Sequence, residues 1–243
     1  MVPDYTWLLI FGAFVLGGTV KGALGVGLPL VTVPMLSLWL PIGQAIGLMV
    51  VPVLLSNLIQ SKEGAGLRGN LRRFAGMIAT QFVVTIIAVR LTLAMSPSEL
   101  ETMVAVSLLI AVGLMAFSPQ FTVHPRHEGA AGIGVGALSG LLGGISSLTG
   151  PLVIAYLMAL RLNREAFVGS ISVIYLCGAI PLYAAMLYFG RIGLGDIGLS
   201  ILALAPMGAG LLMGRALRTR VNEAFFRKLL LLFLTVIAIL LLS

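Results

Sequence analysis

The chain has 243 residues, of which 59% are hydrophobic and 9% charged, and its mean hydropathy is +1.12. Because soluble domains carry about a quarter charged residues, these values exclude an ordinary soluble domain and indicate a polytopic, all-α membrane protein. The net charge of +7 comes from Lys and Arg spread among loops, so membrane topology explains it better than nucleic-acid binding.

Apolar segments of about 20 residues can cross a bilayer, and the chain divides into two sets of five such segments. The start lacks a basic n-region and carries Asp4, so we expect a first membrane segment there and not a cleaved signal. We predict an N-terminal repeat at 1–120, a linker loop at 121–129 and a C-terminal repeat at 130–243. The expected segments are 5–20, 24–39, 43–60, 73–95, 100–118, 130–145, 149–160, 166–189, 196–216 and 224–242.

The two halves share a repeated stretch. Residues 12–31 and 134–153 align without gaps at an offset of 122 residues, and seven of the twenty aligned positions are identical, among them three glycines and a proline. In transporters, segments interrupted by Gly and Pro at equivalent places in two halves point to the substrate site. We therefore predict broken or re-entrant hairpins at 5–39 and 130–160.

The charges indicate how these hairpins sit in the membrane. Each predicted arm has about 16 residues, or about 24 Å of helix, which leaves open whether a hairpin returns or forms one broken crossing. Only returning hairpins bring the basic loops to one side, as the positive-inside rule requires. Each half then makes an odd number of passes, which predicts inverted-topology repeats with both termini opposite the basic loops. That other side keeps Asp4, Glu99, Arg191 and Asp196, and the basic side holds Lys62, Arg68, Arg72, Arg73, Arg126, Arg161, Arg164, Arg215, Arg218 and Arg220.

Regularly spaced glycines predict close helix packing. Small residues four apart form a smooth helix face that lets backbones approach. Proline is favoured in the first turn of a helix, so Pro29 and Pro151 mark the start of each second arm. The glycines with this predicted structural role are Gly18, Gly22, Gly140 and Gly144, with Gly132 and Gly136 continuing the row.

The irregular stretches around these prolines predict an anion site. Free N–H groups at a helix N-terminus bind anions, and two opposed termini near the midplane need few cationic side chains. Glycines allow close approach to the backbone, and hydroxyls add donors. The alternative is that these small polar residues only hydrogen-bond across helices. The candidate binding residues here are Gly25, Gly27, Ser146, Ser147, Thr149 and Gly150.

Three longer polar side chains join the candidate site. Lys21 is the only Lys or Arg in either repeated stretch, and a charge at that depth costs about 3 kcal/mol or more unless paired or hydrated. It either counters an anion or reaches water at the hairpin turn. Asn57 and Gln60 lie at membrane depth as well. For them, as for Gln81, interhelical hydrogen bonding is the competing interpretation.

Other residue types give no sign of catalysis. The acids all fall in loops or near segment ends, and we find no Walker A, HExxH or Ser/His/Asp pattern. We expect neither an enzyme nor a metal or cofactor site. Cys177 is expected to be a buried thiol, and Tyr156, Tyr175 and Tyr183 are expected to serve packing more than a transport path.

Two motifs resemble those of the sulfite exporter TauE/SafE family. The early one has the form GGxxKGxxGxGxP, from Gly17 to Pro29, and the late one has the form GxxSGxxGGxxSxTGP, from Gly136 to Pro151. The resemblance covers the whole chain. It implies a secondary transporter that exports sulfite or an organosulfonate such as sulfoacetate.

The expected partners are a small anion and membrane lipid, with a homodimer left open and no nucleic acid. The expected location is a bacterial inner membrane, with both termini on the periplasmic side. An importer or channel for another small solute on the same scaffold is the alternative function.

Overall fold

The computed structural model describes residues 4–25, 27–62, 64–116, 122–217 and 223–242. Over these residues every regular element is helical. The helices are α1 (Asp4–Leu24), α2 (Leu28–Leu36), α3 (Ile42–Gly47), α4 (Val50–Gln60), α5 (Gly66–Arg73), α6 (Ala75–Leu91), α7 (Pro97–Ala116), α8 (Glu128–Ser146), α9 (Gly150–Ala159), α10 (Arg164–Tyr188), α11 (Leu194–Leu202), α12 (Leu204–Leu217) and α13 (Glu223–Leu242), with 3₁₀ turns at Thr92–Ala94 and Pro125–His127.

Several of these helices are long and apolar enough to cross a membrane. Helices α11 and α12 meet the same criterion only as a pair, with a bend of 42° between them. The prediction of an all-helical, multi-pass membrane protein is therefore confirmed. Within the described part of the chain, the candidate spans are Trp7–Leu24, Ile42–Gln60, Ala75–Ala94, Pro97–Leu114, Pro125–Ser146 and Glu165–Tyr188.

The arms of the two hairpins differ in length. The predicted break of the first arm at residues 21–23 was wrong, because α1 continues through Lys21 and Gly22 to Leu24. Its 21 residues give a helix of about 31 Å, which is long enough to span the hydrocarbon core. The second arms, α2 and α9, have only 9 and 10 residues. Each hairpin thus pairs one long helix with one short helix.

Both short helices fold back along the long ones. In the first hairpin the Thr32 hydroxyl of α2 donates to the Ala13 carbonyl of α1 at 3.4 Å. In the second, the Tyr156 hydroxyl of α9 donates to the Glu128 carbonyl at 3.0 Å. The base of this second hairpin is closed by the Val123 N–H, which donates to the Ala159 carbonyl at 3.0 Å. The chain therefore leaves the second hairpin at the end where it entered.

Each long helix packs against the other half of the chain through its glycines. A Cβ at Gly18 or Gly22 of α1 would collide with the backbone of α12. A Cβ at Gly140 of α8 would lie 2.8 Å from the Gln81 carbonyl oxygen of α6, and one at Gly144 would meet the same helix. The row of glycines therefore serves backbone contact in both copies, and the contacts are reciprocal between the halves.

The two long helices end near opposite ends of α10. Helix α1 ends beside the first turns of α10, where Gly25 lies against Val168. Helix α8 instead ends beside the last turns of α10, where Gly144 and Met186 line one cavity with Arg191. Since α10 is a single helix of 25 residues, these contacts place the C-terminal ends of α1 and α8 near opposite ends of α10.

Basic residues gather at the end of the bundle where α10 begins. Arg73 pairs with Glu128 through a hydrogen bond of 2.6 Å, which raises the pKa of Arg73. Gly22 lies against Arg215 of α12 at this end, and Gly64 lies against Glu165. We call this the basic end and the opposite one, where Thr92 meets Arg191, the Arg191 end.

Candidate anion-binding site

A small cavity of about 30 Å³ lies where the tips of the two hairpins meet. That volume has room for one or two water molecules. Helices α4 and α10 close its sides. The lining residues from the hairpins are Gly27, Pro29, Leu30, Gly143, Ser147, Leu148, Thr149, Gly150 and Ile154, and those from the other helices are Val53, Tyr175, Gly178, Ala179, Leu182 and Tyr183.

The N-termini of both short helices border this cavity. Gly27 caps α2 in the left-handed region, with φ of 101°, and no side chain caps its N–H groups. Thr149 precedes α9, where a side-chain cap is likewise missing. Leu28 and Gly150 are the first residues of the two helices, so their N–H groups have no intrahelical acceptor, and Pro29 and Pro151, which follow them, have no N–H. Two positive helix ends therefore border one space, the arrangement that favours an anion.

Ser147 supplies the turn that makes the second terminus possible. Its φ of 61° lies in the left-handed region, which is uncommon for a residue with a side chain, and its N–H donates to the Gly143 carbonyl at 2.8 Å. This turn ends α8 and directs the chain back into α9. Ser147 is buried and lines the cavity. The left-handed turn at Ser147 corresponds to the glycine-rich turn at Gly25 and Gly27 in the first hairpin.

Two buried tyrosine hydroxyls reach the cavity wall without a partner. Tyr175 and Tyr183 are 8% and 5% exposed, and neither hydroxyl has a hydrogen-bond partner. A Cβ placed on Gly150 would lie 2.8 Å from the Tyr175 oxygen, so this hydroxyl lies at the start of α9. An unpaired buried hydroxyl costs about 1–3 kcal/mol, which a ligand that accepts a hydrogen bond would remove.

The Gln81 side chain adds a third polar group near this wall. It is fully buried in α6, and neither its amide nitrogen nor its oxygen has a partner. Gly178 lines the cavity, and a Cβ there would collide with the Gln81 amide. Gly178 thus provides the room that this amide occupies beside the cavity.

Lys21 and Asn57 are brought together away from the cavity lining. The Lys21 ammonium donates to the Asn57 side-chain oxygen at 2.9 Å, and the two residues are 3% and 2% exposed. Asn57 lies one helical turn after Val53, which lines the cavity. The lysine is therefore buried with a neutral partner and does not reach water at the hairpin turn.

Three other predicted residues lie elsewhere. The Ser146 hydroxyl donates to the Leu142 carbonyl of its own helix at 2.8 Å. Gln60 accepts from the Ser172 hydroxyl at 3.4 Å, which is an interhelical contact. Gly25 has φ of 82° and forms the turn after α1. None of the three lines the cavity.

Tyr175 and Tyr183 of α10 line the cavity, whereas the sequence analysis expected them to serve packing more than a transport path. The spacing of these tyrosines along α10 is a sequence signal that could have predicted their place in the cavity wall. Cavity-lining residues of α10 fall at positions 175, 178, 179, 182 and 183, which share one helix face. That face combines two hydroxyls with small residues in an otherwise apolar span. Within the described ranges, no group of three His, Cys, Asp or Glu side chains is placed to hold a metal ion.

Comparison with known proteins identifies the family. The family model for the sulfite exporter TauE/SafE matches residues 9–241. The chain belongs to the TauE/SafE family. No curated protein and no solved structure matches it. As a TauE/SafE protein it is a membrane transporter of the sulfite-exporter class, and the resemblance read from the two glycine motifs is confirmed.

The TauE/SafE match includes both hairpins and the cavity between them. The two motifs that carried the resemblance end at Pro29 and Pro151, the first-turn prolines of α2 and α9. In this TauE/SafE chain the motifs therefore build the two helix ends that border the cavity.

Proposed function

We propose that this protein is a secondary transporter that exports sulfite or an organosulfonate such as sulfoacetate. The anion binds at the opposed N-termini of α2 and α9, and the Tyr175 and Tyr183 hydroxyls donate to it. The observation that carries the proposal is a cavity that is bordered by both helix ends and by two unpartnered buried hydroxyls. A sulfonate or sulfite offers three oxygens, which suits donors that converge from several elements.

Lys21 contributes charge and not direct contact in this proposal. Its amino group is buried with a neutral amide as its partner, so the contact does not cancel the charge of Lys21 when the side chain is protonated. In a low-dielectric interior an uncompensated cation lowers the energy of an anion several ångström away. Asn57 orients the ammonium from α4, the helix that also supplies Val53 to the cavity wall.

The proposed transport cycle is alternating access of two inverted repeats. Two observations support this arrangement: α1 and α8 end near opposite ends of α10, and their packing is reciprocal between the halves. A cavity of about 30 Å³ is too small for sulfoacetate, which has eight heavy atoms, so the hairpins must separate before the anion binds. The structure thus corresponds to a contracted state of the proposed site.

The proposed location is a bacterial inner membrane with the basic end in the cytoplasm. The charge distribution supports this, since loops with an excess of Lys and Arg remain on the cytoplasmic side. In this orientation the Arg191 end faces the periplasm, and export moves the anion from the basic end to the Arg191 end.

Flux into proteoliposomes tests the proposal. We expect saturable uptake of sulfite or sulfoacetate, accelerated when the same anion is present on the opposite side. Acetate and zwitterionic taurine serve as comparison solutes of similar size. Uptake equal to that of empty vesicles for every anion would refute the proposal. Uptake without saturation or counterflow would indicate the alternative, a channel.

A further inference from the structure

A second, larger cavity lies at the Arg191 end of the bundle. Its volume is about 240 Å³, which is ample for a small organic anion. We call it the Arg191 vestibule. It is lined by Pro41, Ile42, Gly43, Gln44, Ile46, Val89, Thr92, Leu100, Gly144, Ile145, Met186, Gly190 and Arg191.

Arg191 supplies the positive charge of this vestibule. The turn at Gly190, with φ of 69°, follows the end of α10 and directs Arg191 back toward the bundle. The guanidinium Nη2 donates to the Thr92 carbonyl, which fixes the side chain across the gap to the end of α6. The Nε–H is buried and has no hydrogen-bond partner.

Asp196 and Glu99, two acids at this end, form hydrogen bonds with partners other than Arg191. Asp196 accepts from the Gly193 N–H at 2.8 Å, and Glu99 accepts from the Ser96 hydroxyl at 2.7 Å. Among the described residues, no ion pair involves Arg191. A guanidinium with a free donor that borders a cavity is a site for an oxyanion, because Arg binds such groups through directed N–H donors.

The vestibule lies next to the cavity between the hairpin tips. Gly143 lines that cavity and Gly144 lines the vestibule. Along α10, Leu182 borders the cavity and Met186, one helical turn later, borders the vestibule. One buried apolar cluster includes both of these α10 residues and separates the two spaces. An anion that leaves the cavity toward the Arg191 end therefore enters the vestibule next.

We propose that the Arg191 vestibule is a second anion-binding site, which takes a small sulfonate or sulfite-type oxyanion between the central cavity and the aqueous phase. This inference rests on the proposed function for the identity of the anion. The site itself rests on the cavity, on the unpartnered Nε–H and on the absence of an ion pair to Arg191 among the described residues.

Thiol modification in the vestibule tests the inference. Gln44 lines the vestibule and is exposed, so Gln44→Cys in the full-length Cys177→Ala protein places one thiol there. The rates of modification by the anionic 2-sulfonatoethyl and the cationic trimethylammonioethyl methanethiosulfonates are compared. Arg191→Gln should lower the anionic-to-cationic ratio about fivefold or more, the order expected for one unit charge in a partly solvated pocket.

Two matched variants and a competitor complete the design. Arg191→Lys keeps the charge and should keep the ratio. Arg90→Gln removes an exposed charge at the same end of the bundle and should leave the ratio unchanged. Excess methanesulfonate should slow modification of the protein with native Arg191, relative to chloride at equal ionic strength. This protection experiment needs no Arg191 variant, so it stands even if Arg191→Gln does not fold.

The outcomes separate this inference from the proposed function, because modification requires no transport. A ratio that is unchanged in Arg191→Gln, or no protection by methanesulfonate, overturns the second site even where anion flux is measured. Protection and Arg191 dependence without any anion flux support the vestibule and refute transport. If Arg90→Gln lowers the anionic-to-cationic ratio of modification rates as much as Arg191→Gln does, the effect is a general surface potential and the site is overturned.

Discussion

The hydrogen bond between Lys21 and Asn57 connects two polar side chains that are buried in the bundle. The sequence identified Lys21 as an unusual charge and Asn57 as a polar residue at membrane depth. Their contact joins residues 36 positions apart, on α1 and α4, and no local pattern encodes it. Truncation of one partner leaves the other buried without a hydrogen bond, which usually costs more than the bond contributes.

We expect Asn57→Leu to lower the free energy of unfolding by about 2 kcal/mol or more, because the Lys21 ammonium loses its partner. The double variant Lys21→Met/Asn57→Leu should be less destabilised than the sum of its parts, with a coupling of about 1 kcal/mol or more. Unfolding titrations in mixed micelles measure this. Thr80→Val, which alters a hydroxyl bonded within its own helix, should change stability by less than about 0.5 kcal/mol. Strict additivity would contradict a direct interaction.

Replacing Tyr175 or Tyr183 by Phe distinguishes a binding role of the hydroxyl from a packing role of the ring. Tyr175→Phe removes a hydroxyl without a partner, so the free energy of unfolding should stay the same or rise by up to about 1 kcal/mol. The thermal stabilisation by sulfite or sulfoacetate should fall, with an affinity loss of about tenfold. In the control, Tyr156→Phe removes a hydroxyl that donates to the Glu128 carbonyl, so it should lower stability and leave the anion effect intact. Undiminished anion stabilisation in Tyr175→Phe and Tyr183→Phe would leave these tyrosines a packing role.

The sequence predicted part of the cavity wall. Gly27, Ser147, Thr149 and Gly150 border the cavity because the repeated motif places them at the helix breaks. Predictions for Gln60 and other residues away from the breaks depended on which helix packs opposite. That information is tertiary, which explains why their partners could not be predicted from local patterns.

Glycine rows determine the packing of whole helices. In α1 and α8 they lie against the backbones of α12 and α6, so they position the two hairpins through close backbone contact. The same contact explains the wrong prediction at the end of α1. Gly22 was correctly expected to pack closely, but the predicted segments left residues 21–23 outside a helix, whereas packing against α12 stabilises helix there. Most other helix bounds lie within a few residues of the predicted segments, because long apolar runs are strong signals. However, α2 is shorter than its predicted segment 24–39, the segments 43–60 and 196–216 are each divided into two helices, and α5 was not predicted.

Gly22→Ala and Gly140→Ala should each destabilise the protein by about 1–3 kcal/mol, because the added methyl meets backbone that must shift. Gly12→Ala and Gly134→Ala occupy equivalent positions of the repeat with open space around the added Cβ. These controls should be neutral or stabilising by up to about 1 kcal/mol, since alanine favours helix. Thermal unfolding of the four purified variants makes the comparison, and equal effects in all four would contradict backbone packing.

The two ends of the bundle differ in charge, so their positions on the two sides of the membrane can be tested. Arg68 and Gly195 are both exposed. Arg68 lies at the basic end and Gly195 at the Arg191 end. With the background substitution Cys177→Ala, we expect an impermeant maleimide to label Gly195→Cys in intact cells. Arg68→Cys should react only after permeabilisation. Labelling of both positions from one side would contradict the proposed orientation.

Reciprocal packing also predicts how the chain responds to division. Fragments 1–120 and 130–243, expressed separately, should be degraded, because each lacks the helix on which its long arm packs. Co-expression should restore a complex that copurifies from detergent. Gly22→Ala in the first fragment should weaken this association more than Gly12→Ala does. A first fragment that is stable and monodisperse alone would show that the halves are independent domains.

The contact between α1 and α12 can form only late in the synthesis of the chain. The surface that covers Gly18 and Gly22 is translated almost two hundred residues after them. At about 5–20 residues per second, the first hairpin waits on the order of ten seconds or more in the bilayer before its partner leaves the ribosome. During that interval lipid or the insertion machinery must cover its glycine face, and Lys21 sits in a helix whose docking surface does not yet exist. The first hairpin is therefore synthesised early, but it can reach its final packed position only after α12 has been made, near the end of translation.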